Sequence, residues 1–293
     1  MKPILRIKRL SVPVIVLMGL PYAVSAAGIV SDKQGFTLFN PTPDHLLREM
    51  STDRPDKTES PYTVDAGHFQ FESDLVNYSH DHDESSGLDS RIDEWSIAPV
   101  NLKIGLSHRA DLQMVFEPYR QIRTHHKTTG IKAFQTGFGD ITTRLKVNLW
   151  GNDGGSTSFA VMPFLKFPTQ HDPVDGRHLE GGVIFPLALE LPAGFGLGLM
   201  TEFDLIQKRD EPGSAVEFIN SVTLSRDIIG KLGGYVEIFT SASSEQGAEW
   251  EATLDLGLTY GLTRDIQLDA GVNLGLTDSA DDINPFIGLS YRF

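Results

Sequence analysis

Apolar and polar residues alternate strictly along much of this chain. From Trp250 to Tyr260 every second residue is apolar, and the residues between them are glycine, threonine or acidic. Successive side chains of a β-strand point to opposite faces of a sheet, so a period of two predicts strands with one apolar and one polar face. The pattern therefore indicates an all-β protein.

Twelve segments with this alternation are predicted after residue 66. Their bounds are 67–78, 92–104, 111–121, 138–150, 156–167, 179–191, 194–207, 215–226, 232–242, 249–261, 266–276 and 283–293. Links after odd-numbered segments are long and polar in the first half of the chain, as at 79–91 and 122–137, whereas links after even-numbered segments are tight, as at 151–155. Long external loops that alternate with short periplasmic turns are typical of outer-membrane barrels. The predicted fold is a transmembrane, antiparallel, up-and-down β-barrel of about twelve strands.

The last predicted strand ends the chain on an aromatic residue. Apolar side chains recur at every second position up to Phe293, and small or polar residues stand between them. This pattern resembles the C-terminal assembly signal of bacterial outer-membrane barrels. The residues of the predicted signal are Gly288, Leu289, Tyr291 and Phe293. The partners that this resemblance implies are outer-membrane lipid and the barrel-assembly machinery.

Residues 1–26 are predicted to be a signal peptide. A basic start precedes the short apolar run 10–20, and Val24-Ser25-Ala26 offers a cleavage site after Ala26. The apolar run is too short to span a bilayer, so we expect a cleaved export signal rather than a membrane anchor. Together with the barrel pattern, this predicts that the mature protein lies in the bacterial outer membrane.

Residues 27–66 form an N-terminal arm in which strand periodicity is weak. Prolines and a dense run of charged and turn-forming residues at 51–62 disfavour a lipid-facing strand. The charged residues of this arm motif are Asp53, Arg54, Asp56, Lys57 and Glu59. Two interpretations stay open, a plug inside the barrel or an ordered periplasmic lead-in whose charges pair with the barrel base. The chain is thus divided into a signal peptide (1–26), an arm (27–66) and a barrel (67–293).

Composition excludes several other classes of protein. The chain has 293 residues, no cysteine and a formal net charge of −14. The absence of cysteine excludes disulfides and thiolate metal sites, and the acidic balance argues against nucleic acid as a partner. Beyond the N-terminus there is no apolar run of about 18 residues, so a bundle of membrane helices is excluded.

The polar faces of the predicted strands define candidate lumen residues. Acidic residues outnumber basic ones on these faces. The candidates for the lumen or a translocation path are Glu72, Asp74, Asp140, Arg144, Lys146, Glu202, Asp204, Asp255 and Asp269. An acidic lumen would favour cations or neutral solutes. The same residues could instead form a salt-bridge lattice that fills a narrow barrel, with Arg54 and Lys57 of the arm taking part.

The residues that could carry chemistry give no coherent catalytic or metal site. Histidine pairs such as His80 and His82 fall in predicted external loops and are interpreted as solvated side chains, so no metal and no cofactor are expected. A lipid-acting enzyme would need a serine with a base within hydrogen-bond reach. Ser107 and His108 are adjacent, but they fall in a predicted periplasmic turn. We therefore expect a protein that is not an enzyme.

Several motifs carry a resemblance to a known family. The run S-T-D-R-P-D-K-T-E-S-P-Y-T-V-D-A-G-H-F-Q-F-E (51–72) is followed by N-L-K-I-G-L-S-H-R-A-D-L (101–112), G-F-G-D-I (137–141) and P-F-L-K-F-P-T (163–169). These runs resemble a bacterial family of outer-membrane barrels assigned to transport in a meta-cleavage phenol-degradation pathway. The resemblance covers residues 45–293 and implies the barrel fold and an outer-membrane location. It brings no catalytic residues with it.

Pattern and resemblance together predict a porin-like outer-membrane channel. The expected function is passive or facilitated uptake of small solutes, aromatic or apolar compounds among them. The alternatives are a structural barrel with a filled lumen and, from another class, an outer-membrane enzyme that acts on lipid.

Overall fold

The computed structural model describes residues 33–83, 89–169, 178–208 and 212–293. The predicted signal peptide and part of three external loops, including His171, lie outside these residues. No helix in the described part of the chain is long and apolar enough to cross a membrane. Within the described residues, the helical structure consists of two short 3-10 turns, Asp44–Leu46 in the arm and Pro192–Gly194 between two strands.

Fifteen strands form one sheet within the described residues. They are β1 (Phe69–Asp83), β2 (Ser90–Ile97), β3 (Val100–Ser107), β4 (Ala110–Phe116), β5 (Tyr119–His126), β6 (Lys132–Gly137), β7 (Ile141–Trp150), β8 (Thr157–Phe167), β9 (Glu180–Leu191), β10 (Phe195–Gln207), β11 (Ser214–Ile229), β12 (Leu232–Ser243), β13 (Glu251–Gly261), β14 (Ile266–Gly275) and β15 (Ile283–Arg292). Every pair of neighbouring strands is antiparallel.

The sheet closes on itself, because β15 pairs with β1 from Gln70↔Arg292 to His80↔Ile283. The closed ring contains twelve strands, which are β1, β3, β4 and β7 to β15. A closed ring leaves no edge and satisfies every backbone donor and acceptor at membrane depth. The predicted twelve-strand barrel is therefore confirmed. We call the end with the short turns the periplasmic rim and the other end the external rim, as in outer-membrane barrels.

Three of the predicted strands are longer than expected and each is broken in two. Pro99 follows Ala98, which has a φ of 55°, and separates β2 from β3. Pro118 separates β4 from β5, and Gly139 lies between β6 and β7. Proline lacks the donor that continues a ladder and glycine permits bends, so each strand turns at this level.

The external parts of these strands form a sheet that projects beyond the barrel. β2 pairs with the external half of β1, β5 pairs with β2, and β6 pairs with β5. The segments 79–91 and 122–137, predicted as loops, are therefore largely strand, and that prediction was wrong. Both faces of these strands are polar, because neither face meets the hydrocarbon of the bilayer, and the charged residues therefore resembled those of loops. The predicted assembly signal lies on β15, beside β1.

The outward face of the barrel is an apolar band bordered by aromatic side chains. Exposed aromatics near the periplasmic rim are Phe69, Trp150, Tyr260, Tyr291 and Phe293, and those near the external rim are Trp95, Tyr119, Phe138, Phe203, Phe218 and Trp250. Along β1, Tyr78 is nine positions after Phe69, and its ring packs at a tilt against Trp95 with a centroid distance of 4.5 Å. A tilted strand crosses the hydrocarbon in about 9–11 residues, so the two aromatic belts mark its limits.

The closing strand depends on its terminal aromatic residue, and we predict that Phe293→Asp, or deletion of Phe293, prevents insertion. Phe293 stacks on Phe69 at 5.6 Å and on Tyr291 at 5.4 Å, and it exchanges backbone hydrogen bonds with Phe69. Losing this closure leaves an open sheet edge in lipid. The measurement is the amount of heat-modifiable, membrane-embedded protein. Phe39→Asp is the matched control, since Phe39 is 93% exposed on the arm. Normal assembly of both variants would contradict the prediction.

The second prediction concerns the outward and inward faces of β13. Leu256 lies on the outward face in the middle of the strand and is 38% exposed, whereas the side chain of Asp255 is fully buried in the lumen. Leu256→Arg should lower the free energy of unfolding by about 2–4 kcal/mol, because it places a charge near the bilayer midplane. Urea titration of the barrel in phospholipid vesicles measures this. Leu276→Arg, beyond the external end of β14, should cost about 0–1 kcal/mol, and equal costs would refute the face assignment.

Candidate functional site

Part of the arm lies inside the barrel. The base of the arm is fixed at the periplasmic rim, where Leu38 N donates to Leu106 O. Residues 51–63, which we call the plug segment, cross the lumen and contact inward side chains of strands on different sides of the barrel. Of the two open interpretations, the structure shows the inserted arm. The lattice that the segment makes with the wall has four parts.

The first part is centred on Asp53. Its carboxylate accepts from Lys103 of β3 and Lys146 of β7, each at 2.5 Å, and the side chain is 3% exposed. Glu72 of β1 lies 2.5 Å from the same Lys103 and accepts from Asp53 N at 3.1 Å. Two buried ammonium groups are thus balanced by two carboxylates, one from the arm and one from the wall. Buried charges persist only when paired in this way.

The second part is centred on Arg54. Its guanidinium contacts Asp269 of β14 at 2.6 and 3.0 Å and Asp74 of β1 at 2.6 Å. The group lies where a Cβ atom on Gly288 would be, so glycine at that position of β15 makes room for it. Gly288, predicted as part of the assembly signal, therefore also borders the plug segment.

The third part holds the tip of the plug segment. The carboxylate of Glu237 on β12 accepts from the backbone nitrogens of Lys57 (2.8 Å) and Thr58 (2.9 Å). The Thr58 hydroxyl lies 2.6 Å from that of Ser221 on β11. Lys57 Nζ is 3.5 Å from the carboxylate of Asp255, whose side chain is fully buried. Asp255 therefore belongs to the lattice rather than to an open channel wall.

The tip also contacts two uncharged residues of the wall, Phe239 and Gly198. Lys57 Nζ lies 4.3 Å from the centroid of Phe239, a cation–π arrangement. A Cβ atom on Gly198 would lie 3.1 Å from Thr58, so this inward glycine provides space for the tip. Sequence reasoning could identify Gly198 as inward but could not show what fills the space beside it.

The fourth part joins Glu59 to Arg144 of β7 at 2.5 Å. Glu59 N also contacts Sδ of Met200 at 3.4 Å. Met200 belongs to an apolar cluster with Met162 and Ile184, each at most 4% exposed. The lumen thus contains one apolar patch beside the otherwise charged lattice.

The base of the arm has its own ion pairs. Asp65 lies 3.1 Å from Arg48 and 3.5 Å from Lys33, and Arg292 of β15 donates to the carbonyl of Arg48 at 2.9 Å. Gly105 leaves the space that the Asp65 carbonyl occupies. The arm is therefore tied both to the closing strand and to the turn beside β3.

Six of the nine candidate lumen residues contact the arm directly, and three do not. The six are Glu72, Asp74, Arg144, Lys146, Asp255 and Asp269. The other three, Asp140, Glu202 and Asp204, lie nearer the external rim. Asp140 is 3.7 Å from Lys166 and accepts from Thr169 N, and Asp204 has one oxygen without a hydrogen-bond partner.

The site also includes residues that were not selected from the sequence. Ser221 and Thr223 bind the plug tip, and Gln113 donates to Asp53 at 3.2 Å. The alternation of residues along each strand predicts that these side chains point inward. The sequence does not show whether a polar neutral residue on the lumen face contacts the plug segment or water.

Two cavities lie on the same side of the barrel, one above and one below the plug tip. The external cavity has a volume of about 620 Å³ and is lined by side chains that include Asp81, Glu217, Glu245, Glu249, Glu251 and Asp278. The periplasmic cavity has a volume of about 360 Å³ and is lined by residues that include Arg54, Asp56, Gly196, Ser225, Tyr235 and Gln267. Strands β11, β12 and β13 border both cavities. Between them the wall carries Glu237 and Asp255, which hold the tip.

Neither a metal site nor a catalytic Ser107–His108 pair is assembled in the described part of the chain. No group of three or more acidic or histidine side chains in the described residues is arranged to hold a metal. The Ser107 hydroxyl accepts from Arg109 N, and the His108 carbonyl accepts from Arg48 and Asn152. These groups thus close the periplasmic turn and fix the arm.

One protein-family model matches both the plug segment and the barrel. Residues 52–293 match the model of the family described as "Putative MetA-pathway of phenol degradation", and the chain belongs to this family. The match begins at the plug segment and ends at the terminal phenylalanine. No curated protein compared with the chain is significantly similar to it.

Solved structures show the same fold at low sequence identity. An outer-membrane channel from Pseudomonas putida F1 matches with a TM-score of 0.59 and 13% identity, over 83% of this chain and 100% of the channel. The transport unit of the autotransporter AIDA-I from Escherichia coli matches with a TM-score of 0.51 and 11% identity, over 83% of this chain and 93% of that one. The chain therefore shares the β-barrel fold of these structures.

The central ion pairs of the plug segment give a third prediction. Asp53→Ala should lower the free energy of unfolding by about 3–5 kcal/mol, because it leaves Lys103 and Lys146 buried without their common partner. Urea titration of the folded barrel is the measurement. The matched control is Asp44→Ala, since Asp44 is an exposed residue of the same arm. A loss below about 1 kcal/mol for Asp53→Ala would show that the ion pairs do not stabilise the barrel.

Proposed function

We propose that this protein is a gated outer-membrane channel for small solutes and that the plug segment is its gate. The observation that supports this most directly is the pair of cavities that share strands β11 to β13 and are separated by the plug tip. Displacing Lys57 and Thr58 from Glu237 would join them into one path. The path would run from the external rim to the periplasmic rim without any break in the barrel wall.

The lining of the external cavity bears on the class of solute. Among the described residues, this lining carries acidic side chains and no basic one. A narrow mouth of one sign attracts cations and repels anions, because its field is poorly screened. Beyond the mouth, the apolar cluster of Met162, Ile184 and Met200 offers a surface for weakly polar groups. We infer that neutral or weakly apolar solutes, aromatic compounds among them, are accepted and that anions are disfavoured.

Membership of the family also supports the proposed uptake of small aromatic compounds. Its description refers to phenol degradation. Uptake of a compound used in aromatic catabolism would require a path for a small, neutral ring through the outer membrane, which the two cavities would provide. We further propose that residues 1–26 are removed as an export signal, that the barrel-assembly machinery inserts the chain, and that the protein is not an enzyme.

A second candidate function is a purely structural barrel. The observation that favours it is the density of the lattice, in which the plug segment exchanges ion pairs with β1, β3, β7, β13 and β14. If these contacts never open, the lumen stays filled.

A reversible lock at the plug tip tests the gate and gives the fourth prediction. The chain has no cysteine, and the hydroxyls of Thr58 and Ser221 lie 2.6 Å apart. Thr58→Cys combined with Ser221→Cys should therefore form a disulfide that fixes the tip to β11. In planar bilayers the oxidised barrel should be electrically silent. After reduction it should show openings that favour cations, and phenol should enter liposomes faster.

Single-cysteine variants provide the control for this lock. Thr58→Cys alone and Ser221→Cys alone should conduct equally before and after reduction, since neither can form the internal disulfide. Conductance that is unchanged by the lock would show that solutes do not pass the plug tip. Bilayers that stay silent and liposomes that stay closed with every variant would favour the structural barrel instead.

A further inference from the structure

The outward face of the projecting sheet carries a concentration of basic side chains. We call it the outer basic face and define it by Arg91, Arg123, His125, Lys127 and Lys132, together with His80 and His82 of β1. The plug lattice does not involve these residues. The chain as a whole is strongly acidic, so a basic surface of this size is unexpected.

Strand register places these residues on the side of the sheet that faces away from the lumen. Trp95, an exposed residue of the external aromatic belt, is paired with Tyr78 and with Gln121. Two residues further out, the row is His80, Asp93, Arg123 and Phe134, and two residues beyond that it is His82, Arg91, His125 and Lys132. Because side chains alternate, rows separated by two residues share one face. The opposite face includes Asp81, which lines the external cavity.

The height of this face follows from the aromatic belt. Arg123 lies in the row two residues beyond Trp95, and Arg91 lies in the row four residues beyond it. Two to four residues of strand correspond to about 7–13 Å along the strand direction. The guanidinium groups therefore lie just outside the hydrocarbon, at the level of lipid headgroups. They face the lipid laterally rather than the solvent above the pore.

Acidic neighbours offset part of the positive charge but not all of it. Arg91 pairs with Asp93 at 2.9 Å, and Lys127 lies 2.9 Å from Asp89. Hydrogen bonds from Lys127 and His82 lower the pKa of Asp89 below its ordinary value, so that this carboxylate is ionised.

Two cations of this face keep their charge available. Arg123 stacks over Phe134 with Cζ 5.7 Å from the ring centroid. Among the described residues, neither Arg123 nor Lys132 has a carboxylate within ion-pair distance, and both side chains are exposed. The face offers positive charge to an anion.

We propose that the outer basic face binds the phosphate groups of lipid headgroups in the outer leaflet around the barrel. Arginine can bind a phosphate through two parallel hydrogen bonds, and lysine adds a mobile point charge. Phosphate is the anionic group that lipid presents at this height. The aromatic residues below the face lie against the acyl chains of the same lipid. This site is separate from the proposed gate and does not depend on transport.

The experiment uses the full folded barrel in detergent and bisphosphorylated lipid A as the probe, with binding measured by native mass spectrometry. Arg123→Glu combined with Lys132→Glu should weaken binding at least about tenfold, because basic residues at a membrane surface each contribute several-fold to the affinity for anionic lipid. Arg226→Glu combined with Lys231→Glu, on the periplasmic rim, makes the same change of charge and should have no effect. Heat-modifiability verifies that each variant is folded.

Three further measurements decide whether lipid phosphate is the ligand. Lipid A without phosphates should bind at least about tenfold more weakly to the unchanged barrel, and raising salt should weaken the binding of bisphosphorylated lipid A. Inorganic phosphate at millimolar concentration should not displace the lipid. Equal binding by the Arg123/Lys132 variant or by dephosphorylated lipid A would overturn the proposal. Displacement by inorganic phosphate would assign the face to free anions and would overturn it as well.

Discussion

The structure depends on one constraint, that no backbone donor or acceptor stays unpaired in hydrocarbon. β15 therefore pairs with β1, and closure creates an interior that must be filled by water, side chains or another segment of the chain. Twelve strands enclose more space than the inward side chains of this barrel occupy. The arm fills much of the periplasmic half, so the plug segment and the closed ring have a common physical origin.

Charge explains how a polar arm can occupy such an interior. Lys103 and Lys146 are almost completely buried, and their desolvation would be very unfavourable without Asp53 and Glu72. The two pairs of Asp53 join the arm to β3 and to β7, so the plug segment has one defined position rather than several. In the proposed channel, the same pairs would both stabilise the barrel and close its path. A gate built on them must exchange these contacts for water when it opens.

Electrostatic segregation distinguishes the two faces of the external region. The mouth of the lumen is acidic, whereas the outward face of the projecting sheet carries Arg123 and Lys132 without acidic partners among the described residues. Because the two faces alternate along the same strands, a single strand such as β1 contributes Asp81 to one and His82 to the other. The proposed selection of solutes and the proposed contact with lipid would therefore depend on opposite faces of the same sheet.

The sequence by itself determined the number of barrel strands, their alternation and their closing segment, because a period of two against lipid leaves a direct mark on residue order. It also identified inward residues such as Asp255 and Asp269. Only the tertiary structure decided that the arm lies inside, that Lys57 meets Asp255, and that Glu237 holds the tip. These contacts join residues about 180–200 positions apart, and charged groups at such separations can pair in many combinations. β5 and β6 were largely predicted as loops for a related reason. Strands outside the hydrocarbon need no apolar face, so their sequences resemble those of polar loops.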